Sequence, residues 1–258
     1  MQMRVIDNAV SEVRNNVSAE EWAIRVDLAA CYRLVAFFGW DDLVFTHISA
    51  RVGDSHNFLI NPYGLMFEEV TASNLVRVDL DGNKTLESPH DINPAGYTIH
   101  SAIHAAREDA GCVLHLHTVA GIAVSCQKQG LLPISQQASI VVQSLAYHDY
   151  EGLALNPDEK VRLQADLGAT SNFILRNHGL LTVGSNVADA FMAMFNLQRA
   201  CEIQVLAQGH GAELVPITAA VLETVNGYVK AVTRGAGSAL IWPSLLRKMD
   251  RLDPAFRN

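Results

Sequence analysis

The sequence predicts a layered α/β fold, with helices on both faces of one sheet that is not purely parallel. Three observations lead there. Short apolar runs of strand length are interleaved with longer stretches that carry helix-capping residues. Several strand candidates are joined by tight turns, which suit antiparallel neighbours better than long crossovers. The 258 residues are 49% hydrophobic and 18% charged, enough for one large domain or two small ones around a sizeable core.

Taken in order, Ser18 followed by Glu21 forms a capping-box pattern that opens a helix to about Phe38, closed by Gly39. Val44–Val52 and Asn57–Ile60 read as strands, with Asn61-Pro62-Tyr63-Gly64 as a turn. Asn74–Asp79 is a third strand, followed by a tight turn at Asp81-Gly82. Asn93 and Pro94 are N-cap and first helical residue of a helix to about Glu108, ended by Gly111. Cys112–His117 is a short apolar strand, Val119–Gln127 a helix, and Ile140–Tyr147 β-like. Asn156-Pro157, with Glu159 after them, repeats the cap device for a helix to Leu167. Asn172–Leu175 and Leu180–Val183 are strands about a turn, and Asn186 with Asp189 starts a long helix to about Gln208. The stripe Phe191, Met194, Phe195 and Leu197 on that helix reads as core. After a break at Gly209–Ala212, Pro216–Val232 reads as helical, followed by a glycine-containing link and a tail with Trp242. No internal repeat or low-complexity segment is visible.

The formal net charge of −8, without Lys/Arg clusters, argues against nucleic acid and against an anionic membrane surface as partners. The N-terminus lacks an apolar signal-like run, and the uncharged stretch Ala110–Gln127 reads as strand plus helix, not as a membrane span. The four cysteines, Cys31, Cys112, Cys126 and Cys201, have no C-x-x-C spacing and read as reduced and buried, which points to a cytoplasmic protein.

The sharpest chemical signal is His115-Leu116-His117. In a strand, residues i and i+2 share a face, roughly 6–7 Å apart. Both imidazoles can then reach one metal at about 2.0–2.2 Å while Leu116 packs on the other face. His178 sits in the turn Arg176-Asn177-His178-Gly179, where Gly179 permits a positive φ or a close backbone approach. Taken alone, that histidine could simply be a hydrogen-bonded turn residue.

Over roughly residues 19–210 the chain resembles the class II aldolase/adducin family. The matching stretches include His47-Ile48-Ser49-Ala50-Arg51, Asn61-Pro62-Tyr63-Gly64, Thr71-Ala72-Ser73-Asn74-Leu75-Val76 and His100-Ser101-Ala102-Ile103. They continue through Ala106-Arg107-Glu108-Asp109, His115-Leu116-His117-Thr118, Tyr147-His148-Asp149-Tyr150-Glu151-Gly152 and Leu175-Arg176-Asn177-His178-Gly179-Leu180. The resemblance implies a single domain over residues 1–258, a three-layer α/β/α sandwich around a mixed, largely antiparallel sheet, with a helical tail over about 213–258. It implies a homotetramer with sites near subunit contacts, and tails such as that around Trp242 can close over a neighbour's site. It also implies a divalent metal, Zn, Fe or Mn, on His115, His117 and His178.

The same resemblance exposes departures from a sugar-phosphate aldolase. Such enzymes carry Ser-Ser-Glu-Trp before the helix that precedes H-x-H; counted back from His115, that stretch falls on Pro94-Ala95-Gly96-Tyr97. Gly96 stands where the acid/base glutamate is expected, and Pro94 and Ala95 replace two phosphate-binding serines. The Gly-Asn-hydrophobic-Ser motif is here Thr46-His47-Ile48-Ser49, so His47 replaces a substrate-binding asparagine. Glycine can neither remove a proton nor ligate a metal, and a phosphorylated substrate is disfavoured. Adducin heads also lack the glutamate, but this chain keeps three histidines in register.

Three imidazoles without a carboxylate leave open coordination positions. The leading expectation is a metal-dependent lyase that breaks a C–C bond, by decarboxylation or retro-aldol cleavage, in a small oxo-, hydroxy- or aromatic acid. With iron, the open positions could take substrate and dioxygen, as in an oxygenase. A non-catalytic, adducin-head-like binding or assembly module is the third alternative. His47 is the candidate catalytic acid/base, or else a buried histidine with a backbone partner. Asn61, Tyr63, Gly64, Gly96, His100 and His148 are candidate substrate-site residues. His100 and His104 share a helix face at i,i+4, where supporting or packing roles are expected. Arg176 could meet a substrate carboxylate or close a salt bridge, and Glu68 and Glu69 are expected to be solvated.

Overall fold

A computed structural model describes residues 12–53, 56–152, 158–209, 211 and 213–258. Seven strands form one mixed sheet: β1 (His47–Arg51), β2 (Phe58–Ile60), β3 (Val76–Val78), β4 (Cys112–Leu116), β5 (Leu145–His148), β6 (Asn172–Leu175) and β7 (Gly179–Gly184). Their spatial order is β3-β2-β1-β4-β7-β6-β5, antiparallel throughout except for the parallel pair β5-β6. The helices are α1 (Ala19–Phe37), α2 (Pro94–Ala106), α3 (Val119–Ser125), α4 (Gln136–Val141), α5 (Glu159–Leu167), α6 (Val187–Gln208), α7 (Ala219–Val232) and α8 (Trp242–Leu252).

The period-two alternation of the strands sorts the core into two layers. Ile48, Ala50, Cys112, Leu114 and Leu116 face α1 and α6, where Leu28, Tyr32, Phe191, Met194 and Leu197 are buried. Val113, Phe173, Leu175 and Leu181 face the opposite side, packed against Ile99 and Ile103 of α2 and Leu163 and Leu167 of α5. The predicted three-layer α/β/α sandwich is therefore what forms. On the α2 face, the β1/β4 register sets His47 opposite His115 and Ser49 opposite Val113. The strand centre is thus apolar on one side and carries a polar line on the other.

Local chemistry accounts for most element ends. The Ser18 hydroxyl accepts from Glu21 N at 3.0 Å. Asn93 caps α2 with Pro94 in its first turn, and Asn186 accepts from Asp189 N at the start of α6. The reciprocal half of the Ser18 box is missing, because the buried Glu21 carboxylate turns inward to Arg25 and to Arg77, 2.6 Å away. Arg25 is itself sealed in the core and donates to the carbonyls of Ala72 and Leu75.

Other expectations need correction. The β-like reading of Ile140–Tyr147 holds only from Leu145: Ser135 caps α4, whose turns run to Val141 and pass through a 3-10 turn into β5. The β-branched run Ile140-Val141-Val142 is helical because Ala138 and Val141 pack into the α1/α6 core, so tertiary burial overrides propensity. Cys31, Cys112 and Cys201 are buried thiols, but Cys126 is exposed at the end of α3. Trp242 packs into the core of this chain, its Nε1 donating to Asp27 at 3.0 Å and its ring beside Phe191. Phe195 is only half-buried, unlike its three stripe neighbours. The Asn156-Pro157 cap lies outside the described residues, as do parts of the Gly209–Ala212 break. No described helix is long and apolar enough to cross a membrane.

Candidate metal centre

His115 lies at the end of β4, His117 just beyond it, and His178 in the turn between β6 and β7. Their ligand nitrogens all fall within 4.8 Å of one another. His117 Nε2 is 3.0 Å from His115 Nε2 and 3.0 Å from His178 Nε2. The third histidine arrives there by a backbone argument. Asn177 takes a left-handed φ of +55° that an asparagine tolerates, turning the chain, and His178 N closes the turn on Leu175 O at 3.1 Å. Gly179 then passes so close to β4 that a Cβ there would sit 2.5 Å from Leu116 O. Close approach, not a positive φ, is what this glycine supplies.

The donor set fits a divalent metal. His115 Nδ1 donates to Leu180 O at 2.9 Å, and His117 Nδ1 lies 3.0 Å from the Asp42 carboxylate. Each far-side bond puts the ring proton on Nδ1 and leaves Nε2 as a bare lone pair aimed at the other rings. Lone pairs 3.0 Å apart repel unless a cation lies between them, and that spacing is close to the ~3.3 Å between nitrogens that ~2.0–2.1 Å tetrahedral zinc bonds would give. Burial, then the neighbouring rings, depresses the pKa of His115 well below its usual value and that of His178 to about 4. Both are therefore neutral and ready to ligate. Asp42 carried no sequence signal beyond an acidic pair after Trp40; the turn that delivers it includes Leu43 at φ +51°, strained for a leucine.

Against this trio, on the α2 face, lies a line of polar side chains. The His47 and His115 ring centroids are 5.2 Å apart. Gly96, His100 and His104 recur every four residues along α2 and so form one stripe facing β1. His47 Nδ1 is 2.8 Å from His100 Nε2, His100 Nδ1 bonds the Ser49 hydroxyl, Ser49 Oγ is 2.8 Å from His104 Nε2, and His104 Nδ1 is 3.1 Å from Ala110 O. His47 fills the room that Gly96 leaves: a Cβ on Gly96 would lie 2.4 Å from its Cδ2. His104 fills both roles expected of it, supporting the chain through Ser49 and packing on Phe58. Ser49 lies inside a matching motif, but a strand serine carries no sequence signal of its own for the bonds it makes to His100 and His104.

Burial pushes His104 down to about 3, with the Arg51 charge adding to the effect; burial, then the neighbouring His47 and His104 rings, holds His100 well below its usual value. A histidine held neutral in the native state but free to protonate when unfolded stabilises the fold fully above pH ~6.5 and loses that contribution toward its native pKa. For His104 the loss is about 1.4 kcal/mol per pH unit between 6.5 and about 3. Urea unfolding of the metal-free protein should show at least about 2 kcal/mol less stability at pH 5 than at pH 7.5; an unchanged or higher midpoint at pH 5 would contradict the buried, neutral chain.

The remaining candidates lie apart from the trio or are otherwise engaged. The Asn61 side-chain oxygen lies 2.9 Å from the Tyr32 hydroxyl, which also accepts Ile48 N at 2.7 Å. Tyr63 is exposed, and Gly64 takes a φ of +94° that forms the turn. His148 is buried with Nδ1 2.7 Å from Asp166, and it lines a small cavity with Tyr150, Glu159, Arg176 and His178. It thus adjoins the site through the pocket without touching the ligand nitrogens. Among the described residues Arg176 pairs with no acid, and it does not stand free: it donates to Gln127 O at 2.7 Å and stacks on Tyr147. Glu68 and Glu69 are exposed, as expected.

A mixed seven-stranded sandwich with an H-x-H strand end and a facing H-G turn defines a class of protein. Residues 26–205 match the family described as Class II Aldolase and Adducin N-terminal domain, and the chain belongs to that family. Among its relatives is a Pseudomonas aeruginosa protein whose name goes no further than aldolase class 2, 60% identical over 99% of this chain and 100% of its own. Rat alpha-adducin is 50% identical over 72% of this chain, which corresponds to 26% of the adducin. Among solved structures, an L-fuculose 1-phosphate aldolase from Glaciozyma antarctica superposes with a TM-score of 0.81 at 26% identity, over 93% of this chain and 94% of that one.

Proposed function

We propose that this chain is a divalent-metal-dependent lyase that cleaves a C–C bond, by decarboxylation or retro-aldol reaction, in a small non-phosphorylated acid. The observation that carries the reading is the convergence of three Nε2 atoms with two of their rings locked in the ligating tautomer. His115, His117 and His178 hold the metal, and Zn, Fe or Mn suits three imidazoles. When bound, the ion supplies a Lewis acid that stabilises negative charge on substrate oxygens. The protein's own share is to orient the acid and to keep water from the α2 side, where His47 and the buried chain behind it close the site. Gly96 offers no acid/base group, which favours decarboxylation, since loss of CO₂ leaves the carbanion without a base to remove a proton. Pro94 and Ala95 supply no hydroxyls for a phosphate. His47 is the candidate proton-handling residue, with His148 at the substrate's periphery through the small cavity it shares with His178.

The chain acts in this reading as a homo-oligomer, a tetramer on the family pattern. Exposed Leu43, Phe45 and Val119, flanking Asp42 and Thr118, supply apolar area for a subunit contact beside the site. A second reading, a non-catalytic module, is favoured by one observation, the 50% identity to rat alpha-adducin over 72% of this chain. Elemental analysis of the purified protein, followed by turnover of hydroxylated and aromatic acids with and without dioxygen, separates the readings. About one equivalent of zinc or manganese with oxygen-independent CO₂ or aldehyde release supports the lyase. Iron with a strict oxygen requirement would replace it with an oxygenase, and absence of both metal and turnover would leave the module.

A further inference from the structure

The polar chain behind His47 has a fixed direction. It begins at Ala110 O, a carbonyl that can only accept, so His104 Nδ1 must carry the ring proton and donate. Among the described residues no carboxylate pairs with His104, and burial keeps the ring uncharged, so its Nε2 is bare and accepts from the Ser49 hydroxyl. Ser49 has a single proton and has now spent it. Its oxygen must accept from His100 Nδ1, which leaves His100 Nε2 bare. His47 Nδ1 then donates to His100 Nε2. Four hydrogen bonds in series therefore leave one atom unassigned at the far end, His47 Nε2, as a lone pair. Among the described residues that nitrogen has no hydrogen-bond partner, and it is not one of the sealed, unpartnered side-chain atoms. Its ring lies over Gly96, with its centroid 5.2 Å from that of His115, one of the three converging rings.

We propose that Ser49, His100 and His104 form a tautomer lock that presents His47 to the site as a hydrogen-bond acceptor, so that the site selects a ligand bearing a hydroxyl group next to its metal-bound oxygen. The ligand class is a hydroxy acid or enol-bearing acid. A 2-oxo acid offers only acceptors there and would leave His47 Nε2 facing another lone pair. Ser49, His100 and His104 are positioning residues and touch no substrate. The inference rests on the metal reading only for the identity of the neighbouring site; the lock itself is built from protein groups alone. It also accounts for the pairing of His47 with Gly96, because any side chain on Gly96 would displace the ring whose polarity the lock sets.

The direct test is histidine-selective ¹⁵N NMR of the protein, metal-free and after addition of zinc, which reads the protonated nitrogen of each ring. Protons on Nδ1 of His47, His100 and His104 are expected; a proton on His47 Nε2 would overturn the lock. The same spectra keep the two claims separate. If zinc leaves the His115, His117 and His178 signals unmoved, the metal reading fails whatever His47 shows. The selectivity is tested on cobalt-loaded protein with glycolate and methoxyacetate, followed by the visible absorption of the metal. Glycolate should bind about fivefold to tenfold more tightly, the worth of one hydrogen bond to an otherwise unpaired acceptor. In Ser49→Ala, His100 loses its acceptor and the His47–His100 pair is free to reverse, so the preference should fall to about twofold or less, again on the scale of one hydrogen bond. A preference of shape alone would survive Ser49→Ala unchanged, and that result would overturn the proposal. Should the variant not fold, the spectra of the unaltered protein still decide.

Discussion

Replacing His115 with alanine is expected to empty the metal site and abolish turnover. One of three converging nitrogens is lost, and the remaining pair, His117 and His178, no longer encloses the ion. Metal content should fall from about one equivalent to below about a tenth, and turnover by about 10²–10⁴-fold, the rate equivalent of several kcal/mol of lost charge stabilisation. Because His115 is fully buried and bonded to Leu180 O, His178→Ala in the partly exposed turn is the companion variant and should lose metal without a large change in melting temperature. Asp42→Ala removes the carboxylate that orients His117 and should weaken metal binding about 10–100-fold while leaving the trio intact. Dialysis against a graded chelator series reads all three. Full metal retention in both histidine variants would remove the ligand assignment.

The second large effect concerns Gly96. Restoring the glutamate that sugar-phosphate aldolases carry there is expected to damage the protein unless His47 changes with it. A Cβ on Gly96 would lie 2.4 Å from His47 Cδ2 and 2.7 Å from Cγ and Nε2, inside van der Waals contact. Overpacking of that kind costs about 1–3 kcal/mol, and a carboxylate pressed unpaired into a buried site adds more. Gly96→Glu alone should therefore lower the melting temperature by roughly 6–12 °C, at about 2–4 °C per kcal/mol for a domain of this size. The double variant His47→Asn, Gly96→Glu should recover most of that loss, since the smaller asparagine vacates the ring's place, with a coupling of about 2 kcal/mol. Additive losses in the two single variants and the double would show that the two positions do not share that space.

How much of the site was legible beforehand depended on chain distance. His115 and His117 were legible because a strand's period of two places i and i+2 on one face whatever surrounds it. Gly96 and His47 were legible as departures, each read against a motif by counting along the chain. That they compensate each other was not, because 49 positions separate them and only the packing of α2 across β1 brings ring and glycine together. Asp42 was invisible for a related reason: a carboxylate in a turn looks like any solvated acid until the backbone aims it at an imidazole.

The same division runs through the fold. Capping residues, strand periodicity and turn glycines determined by themselves that β4, β6, β7, α1, α2 and α6 would form and roughly where, since these signals act within a few residues. Strand periodicity also placed His115 and His117 on one face, whereas His178 joined them as an expectation only through the family resemblance. Tertiary structure alone decided that Ile140-Val141-Val142 would be helical, that Glu21 would leave its cap for Arg25 and Arg77, and that His47 would be tied through His100, Ser49 and His104 to a backbone carbonyl. Each of those outcomes turns on which buried polar or apolar group finds a partner, and partners far apart in the chain are chosen only when the layers pack.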